Sequence, residues 1–246
     1  MHTVPMRSVF TTAIVASLVA ALVVALFHLI VTEPVIEQAI TMEEQAHASE
    51  GMHEEPIVSR DVQRVGLIVG FLIYGLTWGL LFTVAYTLTQ DKLPGTTPSE
   101  RGIVLAGLAY LAIGVLPFLK YPANPPGVGE PESIGFRQTF YMVILLLSVA
   151  SAAGSLALGR AIARGRSAAQ VGLVTTAFFV VFGALVYFVL PANPDETRLP
   201  AQLIAEFRLR SIVGVTIFWL VLAAVFARRA QTLAPNPRPQ VAAASL

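Results

Sequence analysis

No cysteine occurs in the 246 residues, which excludes disulfides, thiolate metal sites and cysteine nucleophiles together. Any metal this chain handles must be held by nitrogen or oxygen. Charge is scarce as well: Asp, Glu, Lys and Arg fill 13% of positions, against about 25% in an ordinary soluble domain. There is no G-x-x-x-x-G-K-[ST] phosphate loop, no H-E-x-x-H helix and no G-x-S-x-G nucleophile elbow. No acid or base falls in the middle of the long apolar runs, so a proton relay of the coupled-transporter kind has no obvious members. Neither an enzyme nor a nucleic-acid partner nor a permanently bound cofactor is expected.

What is present is apolar sequence, 55% of the chain, gathered into runs free of charge: Ser8–Val31, Val65–Gln90, Gly102–Leu119, Gln138–Gly159, Ser167–Pro194 and Ser211–Ala227. About 20 apolar residues cross roughly 30 Å of hydrocarbon as a helix. Two runs are short, but Arg208, Arg210, Arg228 and Arg229 flank the last and can snorkel to the interface. The expected fold is an all-α integral membrane protein of six helices, with five as the fallback, in contact with lipid on all sides. The spans are placed near 8–31, 65–88, 102–119, 138–159, 170–190 and 211–227, within one domain over 1–230. The tail 231–246, with Pro235, Pro237 and Pro239, is expected to be disordered. The first run is longer than the roughly 7–15 residues of a signal h-region, so it reads as an uncleaved anchor.

With the amino terminus on the cytoplasmic side of the plasma (inner) membrane, nine of the sixteen Lys and Arg lie inside, a weak positive-inside bias that places both termini in the cytoplasm. The acids are lopsided: Asp91 and Glu100 lie on that side and the other thirteen on the opposite one. Such a carboxylate surface concentrates cations.

The second and third outer loops resemble each other. Tyr121-Pro122-Ala123-Asn124-Pro125-Pro126 follows the third span and Leu190-Pro191-Ala192-Asn193-Pro194 the fifth, each leading to a Phe-Arg pair, Phe136-Arg137 and Phe207-Arg208. This reads as a duplicated two-helix hairpin in parallel orientation, with the first hairpin a diverged third copy. The prolines stop a helix. They serve either as rigid stops at the interface or to free carbonyls, with the Asn124 and Asn193 amides, along a way in. Small residues every four positions, at Ala13, Ser17, Ala21 and Ala25, at Gly66, Gly70, Gly75 and Gly79, and at Ser151, Ser155 and Gly159, are expected to let helices approach closely.

Three of the four histidines fall in or beside the first outer loop, 32–64. His47, Glu50, His53 and Glu54 stand close together there, with Glu43, Glu44 and Glu55 nearby. Imidazole nitrogen with carboxylate oxygen suits Co²⁺, Ni²⁺ and Zn²⁺. The alternative is a solvated acidic loop with incidental histidines. His28 lies near the outer end of the first span, about 140° around a helix from Glu33. Glu33 and Glu37 have i,i+4 spacing but enclose Pro34.

Val31-Thr32-Glu33-Pro34-Val35-Ile36, the His/Glu loop, and above all Leu119-Lys120-Tyr121-Pro122-Ala123-Asn124-Pro125-Pro126-Gly127-Val128-Gly129 resemble the CbtA family of proposed cobalt transporter subunits, over most of the chain to about residue 227. The resemblance implies cobalt uptake with a small single-span partner of the CbtB kind. Family members often carry a denser histidine run in the first loop, where this chain keeps His47 and His53. Two functions are thus open. One is a membrane component that gathers Co²⁺, or Ni²⁺, at the acidic loop and passes it by His28 and Glu33 into the bundle. The other is a scaffold or accessory subunit that transports nothing.

Overall fold

Six rods of helix make up the computed structural model, which describes residues 4–49, 58–126, 128–195 and 199–233. The first rod joins α1 (Met6–Phe27), a π turn at His28–Thr32 and α2 (Glu33–Ser49). The second is α3 (Arg60–Thr89). The third joins α4 (Pro98–Ala109), a π turn at Tyr110–Val115 and α5 (Leu116–Lys120). The last three are α6 (Ile134–Ile162), α7 (Ala168–Val189) and α8 (Ala201–Ala230). Each rod is long and apolar enough to cross a membrane, and no strand occurs among the described residues. The all-α, six-span expectation holds.

The stretch expected to begin a loop at residue 32 is helical to Ser49. Pro34 has no N–H and its ring crowds the carbonyl four residues back, which ordinarily ends a helix. Here the π turn widens the rod just before the proline, and the Glu33 N–H bonds the His28 carbonyl five residues back. Beyond it, Val35, Ala39 and Met42 form a helical stripe that packs on Leu199, Leu203 and Phe207. That burial holds the extension against the start of α8. Glu50, His53 and Glu54 lie outside the described residues, as do the side chain of His47 and the tail from 234.

The first rod is the centre of the bundle. Ala13, Ser17, Ala21 and Ala25 are fully buried, so neighbouring backbones come close. A Cβ on Gly75 would collide with Ala21 and the Ser17 carbonyl, and one on Gly79 with the side chains of Ser17 and Ile14. Gly66 and Gly70, expected in the same stripe, face open space. Phe218, Trp219, Leu222 and Phe226 of α8 pack into the same core, their rings meeting Tyr74, Trp78 and Phe82 of α3. The third rod in turn packs on α8, with Gly102 beneath the Phe226 ring.

The hairpin of α6 and α7 stands outboard. It joins the rest chiefly through the third rod, where Leu116 meets Gly183 and Tyr121 packs beside Ile144, Val186 and Leu190. A cleft therefore opens between α6 on one side and α3 and α8 on the other.

The third and fifth rods share a start as well as an end. Thr97 and Ser167 each close a capping box, with Glu100 and Gln170 respectively. Two residues before each cap sits a glycine of positive φ, Gly95 and Gly165. From its cap to the first proline of its Pro-Ala-Asn-Pro segment, the third rod (Thr97 to Pro122) carries one more residue than the fifth (Ser167 to Pro191), and its π turn absorbs one extra residue.

Replacing Gly79 with Val is expected to destabilise the protein by about 1–3 kcal/mol through overpacking, read as a lowered Tm in detergent. Gly66→Ala should leave Tm unchanged or raise it slightly. Equal losses at both positions would contradict the assigned helix contact.

Candidate transport site

The π turn sets His28 in a packed corner at the acidic end of the bundle. Its ring stacks on Phe71 of α3, with centroids 5.1 Å apart and planes 13° off parallel. Nδ1 lies 2.8 Å from the Thr32 hydroxyl. Nε2 lies over Gly214 of α8, where any Cβ would strike the imidazole. When Nδ1 carries the proton and donates to Thr32, Nε2 is left as the acceptor nitrogen of the ring.

Glu33 lies beneath His28 along the chain, yet its carboxylate has other partners. Glu33 Oε1 accepts from Arg60 Nη2 at 2.7 Å and from Arg64 Nε at 3.0 Å, with its side chain 10% exposed. Glu37 Oε1 accepts from Arg64 Nη2 at 3.0 Å, and Asp61 adds a longer pair at 3.5 Å. These arginines tie α2 to the start of α3 and pair with Glu33 and Glu37, two of the carboxylates expected as cation ligands. No cluster of three or more His, Asp or Glu able to hold a metal occurs among the described residues. The arginine partners could not be found from spacing, because they come from another rod.

The two Pro-Ala-Asn-Pro segments do come together. Tyr121 and Leu190 leave the helix before Pro122 and Pro191, as a following proline favours. No regular helix resumes through Pro125 and Pro126, or through Pro194. The Tyr121 hydroxyl donates to the Pro191 carbonyl at 2.8 Å, fastening one break to the other. Between them lies a cavity of 560 Å³ lined by residues of both copies, among them Asn124, Asn193, Arg137 and Arg208. Neither His28 nor Glu33 lines it.

Arg137 Nε lies 3.3 Å from Asp195 Oδ2, a carboxylate buried to 1% exposure, and Arg137 Nη2 donates to the Glu130 carbonyl. Gly129 has φ 114°, and a Cβ there would strike the Arg137 guanidinium, so glycine is needed on both counts. Arg208 Nη2 donates to Asn124 Oδ1 at 2.7 Å. The Phe-Arg repeat was the signal for these arginines in the sequence, but it carried no role by itself.

Below the mouth a second cavity of 370 Å³ shares Tyr121, Ala123 and Tyr141 with the first. A third, of 390 Å³ and almost wholly apolar in lining, shares Trp78, Ile113, Leu145 and Trp219 with the second. Trp78 and Trp219 meet edge to face at 5.6 Å where those two adjoin. The cleft is thus polar at the mouth, aromatic in the middle and apolar at depth.

Six spans, a repeat at whose interface a cleft opens, and polar groups gathered at the cleft's mouth define a multi-pass membrane protein of the transporter class. The family model described as "Probable cobalt transporter subunit (CbtA)" matches residues 6–231, and the chain belongs to that family. A subunit implies a partner, and the description names a transporter component rather than an enzyme. Comparison with curated proteins and with solved structures gave no match.

Glu33→Gln is expected to cost about 1.5–3 kcal/mol, since two hydrogen bonds between charged groups are weakened in a largely buried place. Glu37→Gln, at a half-exposed pair, should cost no more than about 1 kcal/mol. Thermal unfolding of the two variants side by side checks the order; a larger loss at Glu37 would contradict it.

Proposed function

We propose that this chain is the membrane subunit that brings Co²⁺, with Ni²⁺ the second choice, across the inner membrane, its termini in the cytoplasm. In this reading the acidic outer segment, with His47, Glu50, His53 and Glu54, raises the local concentration of the cation. Glu37 and Glu33 relay it and His28 Nε2 is the first nitrogen it meets in the bundle. The arginine pairs at Glu37 do not bar the relay, because ion pairs open to water are worth only about 0–1 kcal/mol. A divalent cation can displace one. The proline breaks with Tyr121, Asn124 and Asn193 shape the mouth of the cleft and give no metal ligand. The partner is a small single-span protein of the CbtB kind.

The observation that carries the reading is the corner at His28. An imidazole in a membrane span is costly unless it has a function. This one has a hydroxyl that orients its ring, an aromatic wall, and a glycine on α8 that leaves room for it. Those are the surroundings of a ligand kept in place for a metal.

Cobalt accumulation by cells carrying the wild-type chain or His28→Ala tests it. Uptake should fall about tenfold or more, the scale on which metal sites lose affinity when even an orienting partner is removed, with membrane abundance unchanged. Thr32→Val should give an intermediate loss. Undiminished uptake in His28→Ala refutes the role of His28. No cobalt uptake above background in wild-type cells, with the partner present, favours the scaffold.

A further inference from the structure

The mouth of the cleft has the chemistry of an anion site. Arg208 is half-buried and no described acid lies within ion-pair distance of it. Its Nη2 is taken by Asn124, while its Nε is sealed from solvent with no hydrogen-bond partner.

Both asparagine oxygens are already used. Asn124 Oδ1 accepts from Arg208, and Asn193 Oδ1 accepts the Asp195 N–H at 3.3 Å, folding that break into a side-chain-closed turn. Each oxygen thus has one lone pair engaged, while both NH₂ donors are without a partner among the described residues. Arg137 is balanced by buried Asp195, so the net charge of the group is that of Arg208. A divalent cation would meet that positive charge with no free carboxylate among the described residues to offset it. An oxyanion would meet a charged donor and two amide donors, one from each copy of the repeat.

We propose that the cavity between the two Pro-Ala-Asn-Pro breaks is an oxyanion site, in which Arg208 with the amides of Asn124 and Asn193 holds a carboxylate or phosphate group. The apolar walls at Ile134 and Phe136 and the aromatic cavity below suit an anion attached to a larger body. That body is either a soluble carboxylate or phosphate compound or a phospholipid whose tail follows the cleft. The site does not depend on the cobalt reading, since its partners hold no metal.

The full chain in nanodiscs of phosphatidylcholine, titrated calorimetrically with citrate and with inorganic phosphate, tests the soluble source. Native mass spectrometry after exchange into phosphatidylglycerol nanodiscs tests the lipid source. Saturable binding in either arm is expected, weakened about tenfold or more in Arg208→Gln because a charged hydrogen bond is lost. Asn124→Asp keeps the shape, gives Arg208 a carboxylate of its own, and should abolish anion binding while the protein stays folded by Tm. Arg210→Gln, which pairs with Glu206 away from this cavity, should bind as wild type. No saturable binding in either arm, or binding untouched by both Arg208→Gln and Asn124→Asp, overturns the proposal. Neither result bears on cobalt uptake, which the His28 variants read separately.

Discussion

In hydrocarbon every backbone amide must find its partner inside its own helix or against another part of the protein. The interruptions of this chain's helices are therefore its most informative features. There are four among the described residues: the π turns at His28–Thr32 and Tyr110–Val115, and the proline breaks after Tyr121 and Leu190. Each is placed where something else supports the backbone. The first π turn rests on Phe71 and Gly214, and the second is braced by the Tyr110 hydroxyl, 2.9 Å from Thr216 of α8. Gly214 and Thr216 lie two residues apart, so both widened turns press on the same level of the last helix. The breaks, in turn, lean on each other through Tyr121 and the Pro191 carbonyl.

Duplication explains why the breaks meet. Two hairpins in the same orientation, the first helix of each opening on a capping box and ending at Pro-Ala-Asn-Pro, bring equivalent residues to the same end of the bundle. The copies are not used alike. Arg137 has acquired an acid, Asp195, from the other copy's loop, whereas Arg208 has acquired only an amide, Asn124. A symmetric pair of arginines would be two neutralised or two bare charges. The observed asymmetry leaves one, at the interface of the copies.

Much of this was legible in the sequence, because runs of uncharged residues and small-residue spacing are local properties. The stripe from Ala13 to Ala25 is buried as expected, and the Phe-Arg repeat marked the right arginines. The helix beyond Pro34 was not legible, since a proline stops a helix unless a π turn precedes it and a partner buries the face that follows. Val35 and Ala39 have that partner in Leu203, more than 160 residues away in sequence. Gly66 and Gly70 fit the spacing of a contact but face open space, because the first rod meets this stretch of α3 through other residues, His28 on Phe71 and Glu33 on Arg60 and Arg64.

The polar side chains were the least legible, and the reason is electrostatic. A residue type shows what a group can do, while its partners decide what it has left to give. Glu33 reads as a cation ligand until Arg60 and Arg64 are placed on it. Asn124 and Asn193 read as amides along a way in until their oxygens are found accepting from Arg208 and from the Asp195 amide. The carboxylate excess that drew attention to this end of the molecule is thus offset where the helices pack. It keeps its full strength only toward solvent, at residues such as Asp61, 93% exposed beside the half-exposed Glu37. In the proposed function, attraction of cations from a distance and binding of an ion within the bundle are therefore tasks for different residues. The cleft, with its one unmatched guanidinium, is suited to neither of them.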